Sequence, residues 1–439
     1  MHMPGAAAAG AIVTPAALPG EATPAELAAL AWERLQPQRW PLPRQAFPAG
    51  AALVGGAVRD ALLDRLPPQP DLDLVVENDA IQLCRQLGRS HGGSVVVLDA
   101  ERSIARLVIQ GWSVDLARRE GPSLDDDLRR RDYRLNAIAL PLADGGALVD
   151  PLDGVGDLRR GELVAVSEAN LLDDPLRLLR GLRLASELGF ALEPRSQAWL
   201  RQHHGALASV AGERVLAELE KLAAAPAGAQ GLLDGLSWGL LQPWQAPGAA
   251  GADTPLLLPR LRADRGRELG LQPEELGLAL PLARLAAVLD GRGLQRLRSS
   301  RRLQQRVEQL RRWQRRLQGP NPAAQAEGLQ EAERLKLQRE LEEDLPALLL
   351  SWEPAAAQAW LQRWRDPGDP LFHPRPAIDG LTLQREFGLK ASPLLGALLQ
   401  HLMAEKAFGR LQSCSDALQA ASIWLGSDAR RSEREPRRD

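Results

Sequence analysis

The chain has 439 residues, 25% of them charged and 45% hydrophobic, with a net charge of -2. This is ordinary globular composition, long enough for about three domains of roughly 100–200 residues. It contains no apolar run of the roughly 18 residues that marks a membrane span, and its charge creates no global attraction to nucleic acid. Its two cysteines, Cys84 and Cys414, lie too far apart to form a disulfide framework, so a reducing cytoplasm is the expected setting. The start, Met1 to Val13, is apolar but has no basic segment, so it reads as a loose extension rather than a signal peptide.

Residues 1–22 are expected to be disordered. Thr23-Pro-Ala-Glu26 predicts a capping box with Pro at the first helical position, opening a helix to Leu35. Ala51–Val54 is a short apolar strand ending at Gly55-Gly56, and Ala57–Leu66 has helical spacing. Asp71-Leu-Asp-Leu-Val-Val76 alternates carboxylate and apolar residues, as a strand does. A helix over 79–88 and strands at Ser94–Leu98, Ile104–Gln110 and Trp112–Ala117 follow. Residues 118–126 read as a polar loop, and Leu135–Leu142 with Ala147–Val149 as element edges around a Gly145-Gly146 turn. The first 165 residues therefore predict a mixed α/β domain on one sheet.

Beyond Asp173 strand signals almost vanish. Leu172, Leu176, Leu179 and Leu182 recur at helical spacing, as do Val215, Leu216, Leu219 and Leu222. Pro/Gly clusters at 226–236, 243–255, 318–323 and 366–380 divide the rest into helical blocks, and the charged segment 426–439 is expected to be disordered. The predicted class is α+β: a mixed head on a small sheet, then helices only. The expected divisions are an extension (1–22), a head (23–165), a neck (166–225), a body (226–365), a tail (366–425) and a disordered end (426–439). Two basic blocks stand out. One holds Arg129, Arg130, Arg131 and Arg134; the other runs from Arg292 to Arg316. Each suits either a phosphate-binding face or a solvated helix face.

Asp71 and Asp73 are i and i+2 in a strand, so both point to one face. Two carboxylates placed this way can hold hard divalent cations, and two such ions can serve phosphoryl transfer. By itself Asp-x-Asp suits a solvated strand face equally well. Gly55-Gly56, between strand and helix, offers backbone N–H groups to phosphate oxygens. Arg59, one turn on, is placed to reach the same triphosphate, or is a surface Arg beside a tight turn. Asp115 is a candidate third carboxylate or a strand-end charge.

These residues resemble a known family. Leu53-Val-Gly-Gly-Ala-Val-Arg-Asp60 with Asp71-Leu-Asp-Leu74 is similar to the first motif of class II tRNA nucleotidyltransferases and bacterial poly(A) polymerases. Arg130-Arg-Asp-Tyr-Arg-Leu-Asn-Ala137 resembles motif B, Val149 to Leu158 motif C, Asp173-Asp-Pro-Leu-Arg177 to Arg183 motif D, and Gly212-Glu-Arg-Val215 the neck segment. Weaker likenesses at Leu282–Leu289 with Leu294–Arg298, and at Gly380–Leu399, correspond to the helical body and tail, which hold the tRNA acceptor arm in that family.

The resemblance implies an enzyme adding C and A to tRNA 3′ ends from CTP and ATP, with two Mg²⁺ ions (Mn²⁺ as a substitute) at Asp71 and Asp73. Poly(A) addition, A-only or CC-only addition, and a non-catalytic RNA-binding role are the alternatives. It places Arg131, Asp132 and Asn136 near ribose and phosphates, and Asp173 and Arg180 in support. Asp174 and Arg177, read as i and i+3 on one helix face, become the base-selecting pair. A carboxylate accepts hydrogen bonds and a guanidinium donates them, so one pair satisfies the amine and ring nitrogen of C or A. U and G would oppose acceptor to acceptor, costing roughly 1–3 kcal/mol. Asp173 stands where Glu is usual, Arg134 where Thr is usual, and Tyr133 where Phe is usual; Tyr133 suits stacking or packing. The loop 118–126, short here, matches the segment that helps switch the family's site from C to A. No His-Asp dipeptide marks an appended phosphohydrolase domain.

Overall fold

The computed structural model describes residues 18–245 and 257–432. The chain forms two compact units, one reaching to Pro243 and one beginning at Trp244.

The first unit opens with α1 (Pro24–Leu35). Thr23 and Glu26 form both halves of the capping box, and Gln36 ends the helix in a left-handed conformation. β1 (Ala52–Val54) leads through Gly55 into α2 (Gly56–Leu62), which stops four residues earlier than the spacing predicts, with Asp64 at positive φ. β2 (Leu72–Val76), α3 (Ala80–His91, capped by the Asp79 side chain), β3 (Ser94–Asp99), β4 (Ile104–Ile109) and β5 (Trp112–Arg118) follow as expected. The polar loop is shorter than its composition suggests. Ser123 and Asp126 make a capping box that starts α4 (Leu124–Arg129), leaving only residues 119–123 as loop.

After β6 (Ala139–Pro141), the sheet order is β3-β4-β5-β2-β1-β6, with β2–β5 parallel and the other pairings antiparallel. α3 covers one face, where a Cβ on Gly88 would meet Val95 and Leu107. On the opposite face Val54, Val75, Leu128, Ala137 and Ala139 form a small buried cluster beside Asp73. Register explains why that face matters. Arg106, Asp115, Asp73, Val54 and Ala139 are successive partners across β4, β5, β2, β1 and β6. Partners in register share a face, so the row runs from charge to core across the sheet.

The motif C segment forms α5 (Gly154–Arg160) and a two-residue strand β7 (Glu162–Leu163). The neck helices follow: α6 (Glu168–Asp173), then α7 (Leu176–Leu188) after a break at Asp174-Pro175. Leu172 is therefore not on the same helix as Leu176, Leu179 and Leu182, and it is exposed. After β8 (Ala191–Leu192) come α8 (Pro194–Gln202), α9 (Gly212–Ala224) and α10 (Gly228–Ser237). The Gly-rich segment expected to break the chain at 226–236 is thus α10, which packs on α7 and α9. A body starting at residue 226 is corrected accordingly: α10 belongs with the neck. Gly231 is used there for close approach, since a Cβ would fall 2.2 Å from the Ser186 hydroxyl.

The second unit is helical throughout its described residues. The helix Pro273–Val288 is buried on nearly all sides and packs against Arg301–Arg316 and Leu345–Leu349. The last three helices, Gly380–Phe387, Pro393–Ala407 and Cys414–Ser432, share a core of Leu383, Leu395, Leu398, Leu402, Ala417 and Ala421. Gly388, at φ +65°, ends the first of them. The expectations for 1–17 and 433–439, and most of the 243–255 break, lie outside the described residues.

Candidate active site

A cavity of about 600 Å³ opens on the carboxylate face of the sheet. It is lined by Gly55, Gly56, Arg59, Asp71, Asp73, Arg131, Asp132, Asn136, Arg177 and Arg180, together with Arg106, Arg130, Arg183, Glu218 and Lys221. Segments more than 100 residues apart in sequence thus converge, and most of the residues singled out from the sequence meet here.

Gly55 makes the strand-to-helix turn at φ 74° and ψ -137°, a conformation open essentially to glycine. A Cβ there would lie 3.3 Å from Asp73 Oδ2 and 4.0 Å from Arg131 Nη1. The turn, the metal-type carboxylate and a guanidinium therefore sit together. Burial, followed by the Asp115 charge, lifts the Asp73 carboxyl to about 6.

Asp115 pairs with Asp73 in register, but a two-point ion pair with Arg106 (2.7 and 2.8 Å) holds it. It does not line the cavity, and among the described residues no group of three acidic, His or Cys side chains is arranged to hold a metal. The pair expected to hold metal, Asp71 and Asp73, lines the cavity, while the candidate third carboxylate, Asp115, lies beside Asp73 in an ion pair with Arg106. The pair suits a divalent cation: it places two hard oxygen donors in the cavity, one of them a buried carboxylate beside a further carboxylate, Asp115. Mg²⁺ typically uses one or two carboxylates plus substrate phosphates.

Arg59 is buried, not surface-exposed. Its guanidinium is committed to Asp60 (2.9 Å, twice) and to Asn136 Oδ1 (2.8 Å). It lines the cavity beside Gly55 and Gly56 with part of its donor set already held by Asp60 and Asn136. Arg131 is better placed. Nη2 donates to Asp127 (3.0 Å), while its buried Nε has no partner. Nη1, the atom that faces Gly55, lies on the cavity side, where a guanidinium suits an anionic ligand.

Asp132 accepts from the Tyr133 amide (2.7 Å), Asn136 Nδ2 (3.3 Å) and Arg180 Nη1 (3.2 Å). Despite burial, Arg180 and these hydrogen bonds keep its carboxyl below the usual range. Tyr133 is fully buried and donates its hydroxyl to the Arg177 carbonyl (2.9 Å). Its role is packing, and burial pushes its phenol up.

The base-selecting pair differs most from expectation. Asp174 precedes α7 in an extended conformation, so it and Arg177 do not share a helix face. Proline at 175 disfavours helix at the residue before it. Asp174 Oδ2 instead accepts from Arg214 of α9 (2.8 Å). Arg177 Nη1 is held by the carbonyls of Arg130 (3.1 Å) and Asn170 (2.8 Å). Arg177, Arg180 and Arg183 recur at i, i+3 and i+6, and all three line the cavity. Glu218 of α9 braces Arg183 (2.6 Å) and Arg180 (3.6 Å). The helical spacing was available to reveal Arg183. Arg106 and Glu218 come from other elements and no local signal marks them; Arg214 lies in the neck segment Gly212–Val215, but nothing in that segment pairs it with Asp174. Asp173 is exposed at the end of α6 and does not line the cavity. Arg134 points away, binding Asp157 of α5 at 2.9 Å twice.

Comparison with known proteins agrees with this fold. Residues 51–164 match the poly A polymerase head domain, and 189–249 match the "Probable RNA and SrmB- binding site of polymerase A". The chain is 35% identical over 405 residues to the CC-adding tRNA nucleotidyltransferase of Synechocystis sp., covering 87% of this chain and 95% of that one. It is 42% identical over 241 residues to the A-adding enzyme of Deinococcus radiodurans, covering 53% of this chain and 50% of that one. Among solved structures, the Thermotoga maritima CCA-adding enzyme complexed with tRNA superposes with TM-score 0.64 at 20% identity, covering 91% and 98% of the two chains. The Bacillus stearothermophilus CCA-adding enzyme with CTP gives 0.63 at 22%, covering 94% and 99%. A mixed head with a carboxylate-bearing sheet, followed by helices, defines a nucleotidyltransferase. The chain belongs to the tRNA nucleotidyltransferase family.

Proposed function

We propose that this enzyme adds C and A to the 3′ end of tRNA from CTP and ATP without a nucleic-acid template. The observation that carries the reading is the single cavity joining Gly55-Gly56, the Asp71/Asp73 pair, Arg131, Asn136 and Arg177. In the reaction the RNA 3′-hydroxyl oxygen bonds to the α-phosphorus, the bond to the bridging oxygen breaks, and pyrophosphate leaves. Asp71 and Asp73 would hold Mg²⁺, which when bound supplies Lewis-acid activation of the hydroxyl and stabilises the leaving oxygen.

The chain's own groups do the rest. Gly55-Gly56 and the free donors of Arg131 receive the triphosphate. Asn136, fixed through Oδ1 by Arg59, faces the ribose. Arg177 offers its remaining N–H groups to the base edge, and Asp174, three residues before it and held by Arg214, is its acceptor partner. The second unit is assigned to the tRNA acceptor arm, and the enzyme to the cytoplasm. No helix among the described residues is long and apolar enough to cross a membrane.

The test uses tRNA transcripts ending before CCA, after C and after CC, each with single nucleotides. Asp71→Asn and Asp73→Asn are each expected to lower incorporation at least a thousandfold while RNA binding persists. Full activity in both variants would sink the two-carboxylate assignment; long A tails on generic RNA would reject the substrate.

A second reading, CC addition alone, is favoured by two observations. One is the full-length likeness to a CC-adding relative. The other is the loop 119–123, which is short and tied down: the Arg119 amide donates to the Val76 carbonyl (2.7 Å) and its side chain to Glu77 (2.9 Å). Failure to extend the CC-ended transcript with ATP selects this reading.

A further inference from the structure

Asp127, on α4, is fully buried although it is a carboxylate. Four N–H groups converge on it. Oδ1 accepts from the Glu120 amide (3.1 Å) and from Arg130 Nε and Nη2 (3.2 and 2.9 Å); Oδ2 accepts from Arg131 Nη2 (3.0 Å). Burial raises its carboxyl, but Arg131, the Glu120 amide and Arg130 together hold it below the usual range. Every donor belongs either to the 119–123 loop or to the cavity wall. Glu120 adds a second link, its carboxylate lying 3.1 Å from Arg130 Nη1. The connection continues inward, because the Arg130 carbonyl accepts from Arg177 Nη1 (3.1 Å). Asn170 ties the same segment from the other side, donating to the Arg129 and Arg131 carbonyls (2.8 and 2.7 Å).

We propose that Asp127 is a positioning residue that couples the 119–123 loop to Arg131 and, through the Arg130 backbone, to Arg177, so that loop placement sets base discrimination. The proposal rests on the reading of Arg177 as a base contact. An acceptor-only group is required at position 127, since all four neighbours are donors. Asparagine has the same shape but would turn an NH₂ group or a weaker acceptor toward two guanidiniums. A shift of Glu120 would remove one of the two carboxylates that hold Arg130 and one of the donors to Asp127, and any movement of the Arg130 carbonyl would re-aim Arg177. A phosphate on the free donors of Arg131 would in turn draw on the group that Asp127 holds.

The experiment compares kcat/KM for CTP and UTP on a tRNA transcript lacking CCA, for wild type, Asp127→Asn and Glu120→Ala. Coupling predicts that the CTP-over-UTP preference falls about tenfold or more in Asp127→Asn, mainly through KM for CTP, and severalfold in Glu120→Ala. A purely structural role lowers both substrates by one factor, and an unchanged ratio in folded Asp127→Asn overturns the proposal. Should that variant not fold, Glu120→Ala decides: an unchanged ratio there overturns it as well. A wild type that transfers no nucleotide would refute the functional reading instead. Equilibrium binding of CTP and UTP to wild type and Glu120→Ala would then decide the coupling.

Discussion

Asp73 is the residue on which the site turns, and its proton is the simplest handle on it. A carboxyl titrating at about 6 is protonated below that pH, where a divalent cation must compete with the proton. Calorimetric Mn²⁺ or Mg²⁺ affinity should therefore fall by up to about tenfold per pH unit below about 6 and level off above it. Asp73→Asn should abolish that dependence. The sign for folding is opposite: a folded-state value above the unfolded one favours the protonated form, so in metal-free protein this group's contribution to stability declines as pH rises from about 4 toward about 6. Gly55 makes a second residue-scale prediction. A side chain there meets both the positive φ and Asp73 Oδ2. Gly55→Ala is expected to cost roughly 1–3 kcal/mol in denaturant unfolding, and to slow single-turnover incorporation at least tenfold.

At the scale of elements, the α6–α7 break is what separates Asp174 from Arg177. Sequence spacing alone suggests a pair on one helix, but Pro175 stops α6 and restarts the chain as α7. Asp174 then belongs with Arg214 on α9, a contact no periodicity reveals. The strand elements were more legible, because alternation in β4 and β5 reports directly which face is buried. Alternation does not report register, however, and register is what places Arg106 on Asp115 and Asp115 beside Asp73. Arg134 shows how an element resolves a departure from the family pattern. It packs against α5, where Asp157 is fully buried between Arg134 and Arg160. Arg134→Thr is expected to lower stability by about 1–3 kcal/mol, read by thermal or denaturant unfolding. The ratio of CTP to ATP incorporation should not change.

At the scale of the molecule, the unit beginning at Trp244 carries the longest basic block, yet its arginines are largely matched. In the helix Arg301–Arg316, Arg302 pairs with Glu343 and Arg316 with Glu333; Arg306 pairs with the buried Asp344, and Arg312 with Glu340. Arg311 donates to the Ala286 and Leu289 carbonyls at the end of the helix Pro273–Val288. Arg306 and Arg311 thus join helices within the block, while Arg302 and Arg316 sit in exposed ion pairs. Replacing Arg302 and Arg316 together by Ala should leave the slope of log affinity against log salt for tRNA nearly unchanged. Loss of a true phosphate contact would shallow it by about 0.9 on the duplex rule.

The sequence by itself determined the reaction class, the α+β order and the strands and helices of the head from α1 to β5, but not α4, α5 or β7. Glycine at a forced turn, carboxylates at i and i+2, and caps such as Thr23/Glu26 are local constraints that need no partner to be read. Only the tertiary structure decided which charges are free. Arg59 is tied to Asp60 and Asn136, Asp115 to Arg106, Asp174 to Arg214, and Arg131 alone of the motif residues keeps an unpaired buried donor. The reason is physical: a hydrogen bond between side chains depends on distance in space. The partners that neutralise or expose this site arrive from strands and helices that no sequence period connects.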